Sequence, residues 1–315
     1  MQKNKKILIT GATGFLGANI ARHFLKKGDK VYIFTRKISD KWRIRNILKD
    51  VSEYSVDLED LVNLNKIIKQ IKPHIIIHTA VYGGYSFQND AAKIVAANFT
   101  GTVNLISALK DIKFELFINT GSSSEYGVKL KLMREIDLLE PISEYGSSKA
   151  AATLYCQAIS KKENKPIVTL RLFSPYGYYE EKRRLISSVI LSCLKLRNPR
   201  LSSPDSVRDF IFIEDVIDAY SKIIDNKDKV KGEVFNIGSG AQYTVGEVVR
   251  NIIKITGDKV NPQWGKIINS RNEPECWQAD ISKIKKILNW EPKYSLSQGL
   301  EKDINWFKEN ITLYK

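Results

Sequence analysis

Cysteine is scarce in this 315-residue chain. Cys156, Cys193 and Cys276 are too few and too widely spaced for a disulfide framework or a zinc cluster, so a reducing cytoplasm is the expected compartment and no metal site is expected. Long apolar runs are also missing. The longest, such as Ile75–Ile77 and Ile211–Ile213, are strand-length and fall far short of the ~20 residues a membrane-spanning helix needs. The basic start MQKNKKILIT passes directly into a strand and a glycine turn, without the apolar segment and small-residue cleavage site of a signal peptide. There is no internal repeat and no low-complexity tract. Hydrophobic residues make up 43% and charged residues 27%, which excludes a disordered chain. Acid is the scarcer charge, with 35 Asp and Glu against 50 Lys and Arg, a balance of +15. Such a balance suits nucleic acid. The lysines are scattered, however, and no zinc-finger spacing or aromatic RNA-binding motif accompanies them. A solvated surface and a small anionic ligand are the better readings.

Over its first two-thirds the chain alternates short β-branched runs with longer amphipathic segments. Strands are expected at Ile7–Thr10, Val31–Thr35, Ile75–His78, Phe114–Asn119 and Ile167–Leu170. Helical patterns lie between them, at about 14–27, 59–71, 89–110 and 145–163. This rhythm predicts parallel βαβ units covered on both faces. After Arg171 it breaks around Pro175, Pro199 and Pro204, with one helix at about 181–195, a strand at 210–213, a helix at 214–225 and a strand at 233–237. The tail carries helices at about 245–256, 280–288 and 297–309.

Residues 7–17 read ILITGATGFLG. Gly11 permits a tight turn, Gly14 a close approach of backbone to a pyrophosphate, and Gly17 the packing of helix on strand; the anion then meets the helix N-terminus. The motif follows a strand and precedes an amphipathic helix, which is the context a dinucleotide site requires. The second strand ends in Thr35-Arg36-Lys37, with no acid until Asp40. An enzyme that selects NAD places an acid there for the ribose 2′-hydroxyl, whereas Arg36 suits a 2′-phosphate, so NADP is expected first and NAD second. Asp57 is a partner for the adenine or, equally, the N-cap of the next helix.

Tyr145 and Lys149, in YGSSK, share one helix face at spacing i, i+4. A phenol of pKa about 10 is a poor base, and a nearby ammonium favours its phenolate. The pair can move a proton on a sugar hydroxyl while a nicotinamide moves the hydride. The spacing recurs at Tyr178/Lys182, but in a Pro/Gly-rich stretch with no serine-bearing strand end before it, so that copy is given no catalytic role. Ahead of Tyr145, the strand 114–119 runs into Thr120-Gly121-Ser122-Ser123-Ser124-Glu125. In a parallel sheet this loop shares the carboxyl edge with the glycine turn, and a serine there can donate to an oxygen that gains charge.

The segments TGATGFLG, HTAVYGG, NFTGTVNL, TGSSSEYG, YGSSK, RLFSPYG, VRDFIFIEDV, FNIGSG, RNEPECWQAD and LNWEPKYSLSQGL together resemble an extended short-chain dehydrogenase/reductase of the nucleotide-sugar epimerase/dehydratase/reductase group, over nearly the whole chain. The resemblance implies an α/β fold, a Rossmann-type doubly wound parallel sheet with a smaller C-terminal α/β substrate domain. The dinucleotide domain would take 1–173 plus about 206–238, and the nucleotide-sugar domain about 174–205 plus 239–315. It also implies a homodimer through a helix bundle that includes the tyrosine helix. By position it makes Tyr145 the acid/base, Lys149 the group that holds the nicotinamide ribose, and Ser122 the catalytic hydroxyl, or Ser123 if a one-residue gap precedes Tyr126. The cofactor would lie against Gly11, Thr13, Gly14, Phe15, Leu16, Gly17, Arg36, Asp57, Leu58, Ala80 and Asn98. The substrate would lie against Tyr82, the serine loop and Ser174, with Arg208 and Arg271 gripping the diphosphate, as arginine forks suit phosphates.

Two departures matter. Ser174 stands where many members carry Asn. The Thr-Asp-Glu run of 4,6-dehydratases is absent, and Glu125, the loop's one acid, falls past the acid positions, which disfavours dehydration. A 4-keto(-6-deoxy)-sugar reductase serving surface-polysaccharide sugar synthesis is therefore expected, with a 4-epimerase, then a dehydratase, as alternatives. A catalytically silent nucleotide-binding protein is the non-enzyme alternative, against which the intact Tyr145/Lys149 pair argues.

Overall fold

The structure, a computed structural model, describes residues 4–267 and 274–314. The chain begins β1 (Lys6–Thr10), α1 (Phe15–Lys26), β2 (Lys30–Thr35), a 3₁₀ segment (Trp42–Asp50), β3 (Ser52–Ser55), α2 (Leu61–Ile71) and β4 (Ile75–His78). It continues with α3 (Ala91–Val95), a π turn (Ala96–Thr100), α4 (Gly101–Ala108), β5 (Leu116–Ser122), a 3₁₀ turn (Ser123–Glu125), α5 (Glu144–Glu163) and β6 (Ile167–Leu172). Then come β7 (Ser174–Tyr176), α6 (Leu185–Leu194), β8 (Val207–Arg208), β9 (Phe210–Phe212), α7 (Ile213–Asp225), β10 (Val234–Ile237), β11 (Tyr243–Thr244), α8 (Val245–Ile255), α9 (Ser282–Leu288) and α10 (Leu296–Asn310). No helix among the described residues is long and apolar enough to cross a membrane.

The chain divides into two compact units. The first holds residues up to Gly127, Asp137–Leu172 and Tyr220–Phe235; the second holds Val128–Ile136, Phe173–Ala219 and the residues from Asn236 on. A seven-stranded sheet has the order β10-β6-β5-β4-β1-β2-β3, with the pairs from β6 to β3 parallel. The Rossmann expectation holds. The strands wind outward from β1 to β3, return to β4 beside β1, and wind the other way, so β1/β4 is the switch point where such sheets bind ligands. The β-branched runs of β1 and β4 are buried on both faces, as a parallel sheet covered by helices demands. On one face Leu8, Phe34, Ile76 and Phe117 pack with Leu64, Ile68 and Leu105 of α2 and α4.

Some elements differ from expectation, each for a local reason. β3 reads SEYS, an edge strand too polar to show an apolar run. The single helix expected at 89–110 is interrupted by the π turn, which contains Asn98. The helix expected from 181 begins at Leu185. Asp60 caps α2, accepting from Asn63 N at 3.0 Å, while Asp57 forms a turn with Glu59 N.

The second unit buries two carboxylates, of which Asp209 ties its loops together. Asp209 accepts from Ser239 N and Ser239 Oγ (both 2.6 Å), Ala279 N (3.0 Å) and Gly240 N (3.1 Å), and burial pushes its carboxyl up to about 6. Asp303 on α10 is 0% exposed, and neither carboxylate oxygen has a hydrogen-bond partner among the described residues. Burial, then the nearby Glu180, pushes its carboxyl well above the usual range. A raised folded pKa stabilises the fold below the unfolded value, about 4, and that stability is lost as pH rises through the folded value. Asp303→Asn removes this titration, so the melting temperature should fall less between pH 5 and pH 8 than in wild type. Scanning calorimetry at both pH values checks it, and equal falls would contradict the assignment.

Candidate active site

The sheet register assembles the site within the first unit. Thr10 pairs with Phe34 and His78, and His78 with Asn119, so the turns leaving β1, β2, β4 and β5 rise from one row at the carboxyl edge. Gly11 has φ +71, and a Cβ there would come 2.6 Å from Ala80 N, so the β1 turn and the β4 loop touch backbone to backbone. A Cβ at Gly17 would lie 2.4 Å from Gly11 O, so only glycine lets α1 sit against the turn. Gly14 is the N-cap of α1, with no side-chain cap and no acid in the first turn formed by Phe15 and Leu16. The resulting cradle of open backbone N–H groups fits a dinucleotide pyrophosphate.

Around it, Thr13 O accepts from Arg43 at 3.5 Å, and Arg43 stacks on Trp42, 4.3 Å from the ring centre. Arg36 is exposed beyond β2, and its guanidinium has no partner among the described residues. Thr35, at the strand end, is buried and donates to Glu53 of β3 at 2.5 Å, with Lys41 on the same carboxylate. Sequence reasoning missed Glu53, because only the β2–β3 pairing brings it there. Leu58 O accepts from Asn104 at 2.9 Å and its side chain abuts Gly101.

Asn98 is 0% exposed and exchanges hydrogen bonds with Tyr82 N (2.9 Å) and Tyr82 O (2.8 Å), while also donating to Ser148 Oγ (2.9 Å). Both its donors are used, so it ties the Ala80–Tyr82 loop to the tyrosine helix. The helix α5 starts at Ser143, which caps Gly146 N at 3.1 Å. A Cβ at Gly146 would come 2.4 Å from Ser124 O, and one at Gly83 3.4 Å from the Tyr145 ring. Glycine therefore brings the helix start against the serine turn, and Tyr145 against the β4 loop.

Ser122 ends β5 and its Oγ accepts from Ser124 N at 3.1 Å; Ser123 is buried beside it. Lys149 is 3% exposed, and no hydrogen bond or ion pair among the described residues engages its ammonium. Burial lowers its pKa, while Glu125 and Cys156 pull it up. His78 is held between Thr10 Oγ1 (2.7 Å) and Thr102 Oγ1 (2.9 Å), and burial, then Lys149, lowers it to about 3, so it is neutral. The other tyrosine-lysine copy is unlike this one. Tyr178 donates to Glu214 at 2.8 Å, and burial, then that carboxylate, pushes its phenol far up.

In the second unit, Ser174 N donates to Asp209 O at 2.9 Å. Arg208 is half-buried, donates to Val207 O at 2.6 Å and lies over the Trp277 ring. Arg271 lies outside the described residues.

The model of the NAD dependent epimerase/dehydratase family matches residues 7–238, and the chain belongs to that family. It is an enzyme of the NAD-dependent nucleotide-sugar epimerase/dehydratase type. It is 27% identical, over 98% of both chains, to a UDP-glucuronate 4-epimerase of Thermodesulfobacterium geofontis. It is 26% identical to a dTDP-glucose 4,6-dehydratase of Salmonella typhimurium, over 97% of this chain and 93% of that one. Among solved structures, it is similar to UDP-glucuronic acid 4-epimerase from Bacillus cereus in complex with UDP-glucuronic acid and NAD, with TM-score 0.86 and 29% identity, covering 97% of this chain and 99% of that one.

The two tyrosines give a test with an internal control. Tyr145→Phe keeps the ring and loses the acid, so turnover should fall by about 10²–10⁴ with cofactor affinity preserved. Tyr178→Phe should leave turnover within a few-fold. Single-turnover hydride transfer followed at 340 nm across a panel of 4-keto nucleotide sugars reads both. A dead Tyr178→Phe beside an active Tyr145→Phe would overturn the assignment.

Proposed function

We propose that the chain reduces the 4-keto group of a nucleoside-diphosphate-4-keto(-6-deoxy) sugar, with NADPH consumed in each turnover. One observation carries this reading: the exposed guanidinium of Arg36 stands without a partner just past β2, where a 2′-phosphate fits, and Thr35 stands where NAD enzymes keep an acid. A dinucleotide held by its pyrophosphate in the glycine cradle would supply the hydride from its nicotinamide. Tyr145 gives its phenolic proton to the C4 oxygen as the carbonyl becomes an alcohol, and the Ser122 hydroxyl donates to the same oxygen while its charge builds. Lys149 holds the nicotinamide ribose and favours the phenolate that Tyr145 leaves behind. Arg208, and Arg271 by its motif, grip the diphosphate. The first unit serves the dinucleotide and the second the sugar nucleotide, in a cytoplasmic homodimer that packs the exposed Val95, Ile142 and Leu154 beside α5 against a second copy.

Dehydration is disfavoured because the serine loop's one acid, Glu125, is 0% exposed and committed to Arg171. A 4-epimerase that retains NAD is the second reading. Glu53 favours it by placing a carboxylate on Thr35, and so does the likeness to UDP-glucuronate 4-epimerase.

Cofactor choice separates the two. Arg36→Ala should cost NADPH binding about 1.5–3 kcal/mol, the range for a hydrogen bond to a charged group, and leave NADH nearly unchanged. Calorimetry with both cofactors measures it. A wild-type preference for NADH, with NAD copurifying, would replace the reductase by the epimerase.

A further inference from the structure

A buried guanidinium lies against the glycine turn, and the phosphate contact proposed for Arg36 does not involve it. Arg43 belongs to the 3₁₀ segment between β2 and β3 and is 7% exposed. Its Nη1 donates to Thr13 O at 3.5 Å, and its guanidinium lies over Trp42, 4.3 Å from the ring centre. Thr13 immediately precedes Gly14, the N-cap of α1. The segment that carries Arg43 is fastened to the same helix. Arg22 on α1 donates through Nη2 to the Arg43 carbonyl and to Asn46 Oδ1 (2.6 Å for the latter), and through Nη1 to Ala18 O at 3.0 Å. Both the backbone and the guanidinium of Arg43 are therefore held in place beside the turn.

Electrostatics gives that position a meaning. The N-terminus of a helix is its positive end and favours anions. The first turn of α1 has no acid, and Gly14 offers no side-chain cap. A guanidinium beside such an end sets positive charge against positive charge, and an incoming phosphate group relieves both. A phosphorylated dinucleotide brings two such groups, its pyrophosphate and its 2′-phosphate. The N–H cradle of the glycine turn suits the first. Arg43 arrives from the chain that follows β2, the strand whose end meets the adenosine ribose in this fold. That chain starts with a closed turn, in which Arg36 N donates to Ser39 Oγ at 3.0 Å and Ser39 N to Arg36 O at 2.9 Å. It then reaches back to Thr13 through Arg43. Glu53, the acid at this strand end, is already taken up by Thr35 and Lys41, each at 2.5 Å.

We propose that Arg43 is a second, pre-placed cation of the cofactor's 2′-phosphate subsite and sets the choice of NADP over NAD together with Arg36. Arg43 presents a fixed fork from the side of the glycine turn, and the exposed Arg36 closes from solvent. A guanidinium already held by its surroundings loses little freedom on binding, so it adds affinity that a loose surface arginine does not. The role rests on the functional reading above, in that the cofactor carries a 2′-phosphate.

The probes are 2′,5′-ADP and 5′-ADP, which differ only in that phosphate. Calorimetry gives the Kd of each for wild type, Arg36→Ala, Arg43→Gln and Arg43→Lys, and thermal melting without ligand checks that each variant is folded. Arg43→Gln keeps a donor for Thr13 O and removes the charge. It should weaken 2′,5′-ADP by about tenfold or more, as the loss of a hydrogen bond to a charged group does, and leave 5′-ADP within about twofold. Arg43→Lys keeps the charge without the fork and should fall between Arg43→Gln and wild type; it decides the matter if Arg43→Gln does not fold. Arg43 variants that keep the wild-type ratio of the two affinities would overturn the proposal. Unchanged affinities would leave Arg43 a clamp on the 3₁₀ segment, and equal losses for both probes would make it a contact to the pyrophosphate or the adenine. In either case a preference of wild type for 2′,5′-ADP that Arg36→Ala reduces would leave the cofactor reading standing. Wild-type protein that binds both probes equally would fail differently, by removing that reading and this subsite with it.

Discussion

An ammonium that is 3% exposed, with no hydrogen bond or ion pair to take it up among the described residues, is an expensive thing to build into a fold. Lys149 is such a group, and the first unit is arranged around it. Glycine at 146 brings the start of α5 against the serine turn, and Asn98 ties the same helix to the loop after β4. His78 next to it is kept neutral by its burial, which avoids a second cation. Burial lowers the pKa of the lysine, while Glu125 and Cys156 act in the opposite direction. The proposed function gives this lysine its partners, a ribose hydroxyl and the phenolate of Tyr145.

The position of the acids then sets the limits of the chemistry. Eliminating water from a sugar requires an acid and a base near two neighbouring carbons. The one carboxylate of the serine loop is turned inward and shared between Arg171 and the Ser122 N–H. The hydroxyls of that loop and the phenol of Tyr145 suit the proposed chemistry, the movement of one hydride and one proton at a single carbon.

Much of this was legible in the sequence because it rests on local patterns. The glycine spacing, the i, i+4 Tyr145/Lys149 pair and the β-branched strands follow from backbone sterics and helix geometry and lie where expected, except that the fifth strand starts at Leu116 and runs on through Thr120 and Gly121 to Ser122. What escaped depends on contacts between distant residues. β3 is too polar to show as a strand, so the carboxylate of Glu53 beside Thr35 could not be foreseen. The Arg171–Glu125 pair joins residues 46 apart through the pairing of β5 with β6. Asp209 sits in an arginine-led motif that draws attention to phosphate binding, yet its carboxylate serves three backbone N–H groups of its own unit. The π turn at Asn98 gave no signal in the apolar pattern of 89–110.

The central claim is that a hydride passes from a consumed nicotinamide cofactor to C4 of a nucleotide sugar. The most direct measurement uses NADPH deuterated at its transferable position with a 4-keto nucleotide sugar, followed by mass spectrometry and proton NMR of the product. The account predicts one deuterium at C4 of each product molecule and one NADP formed for each. Product without deuterium, or sugar interconverted while NAD stays bound and no NADPH disappears, would contradict it.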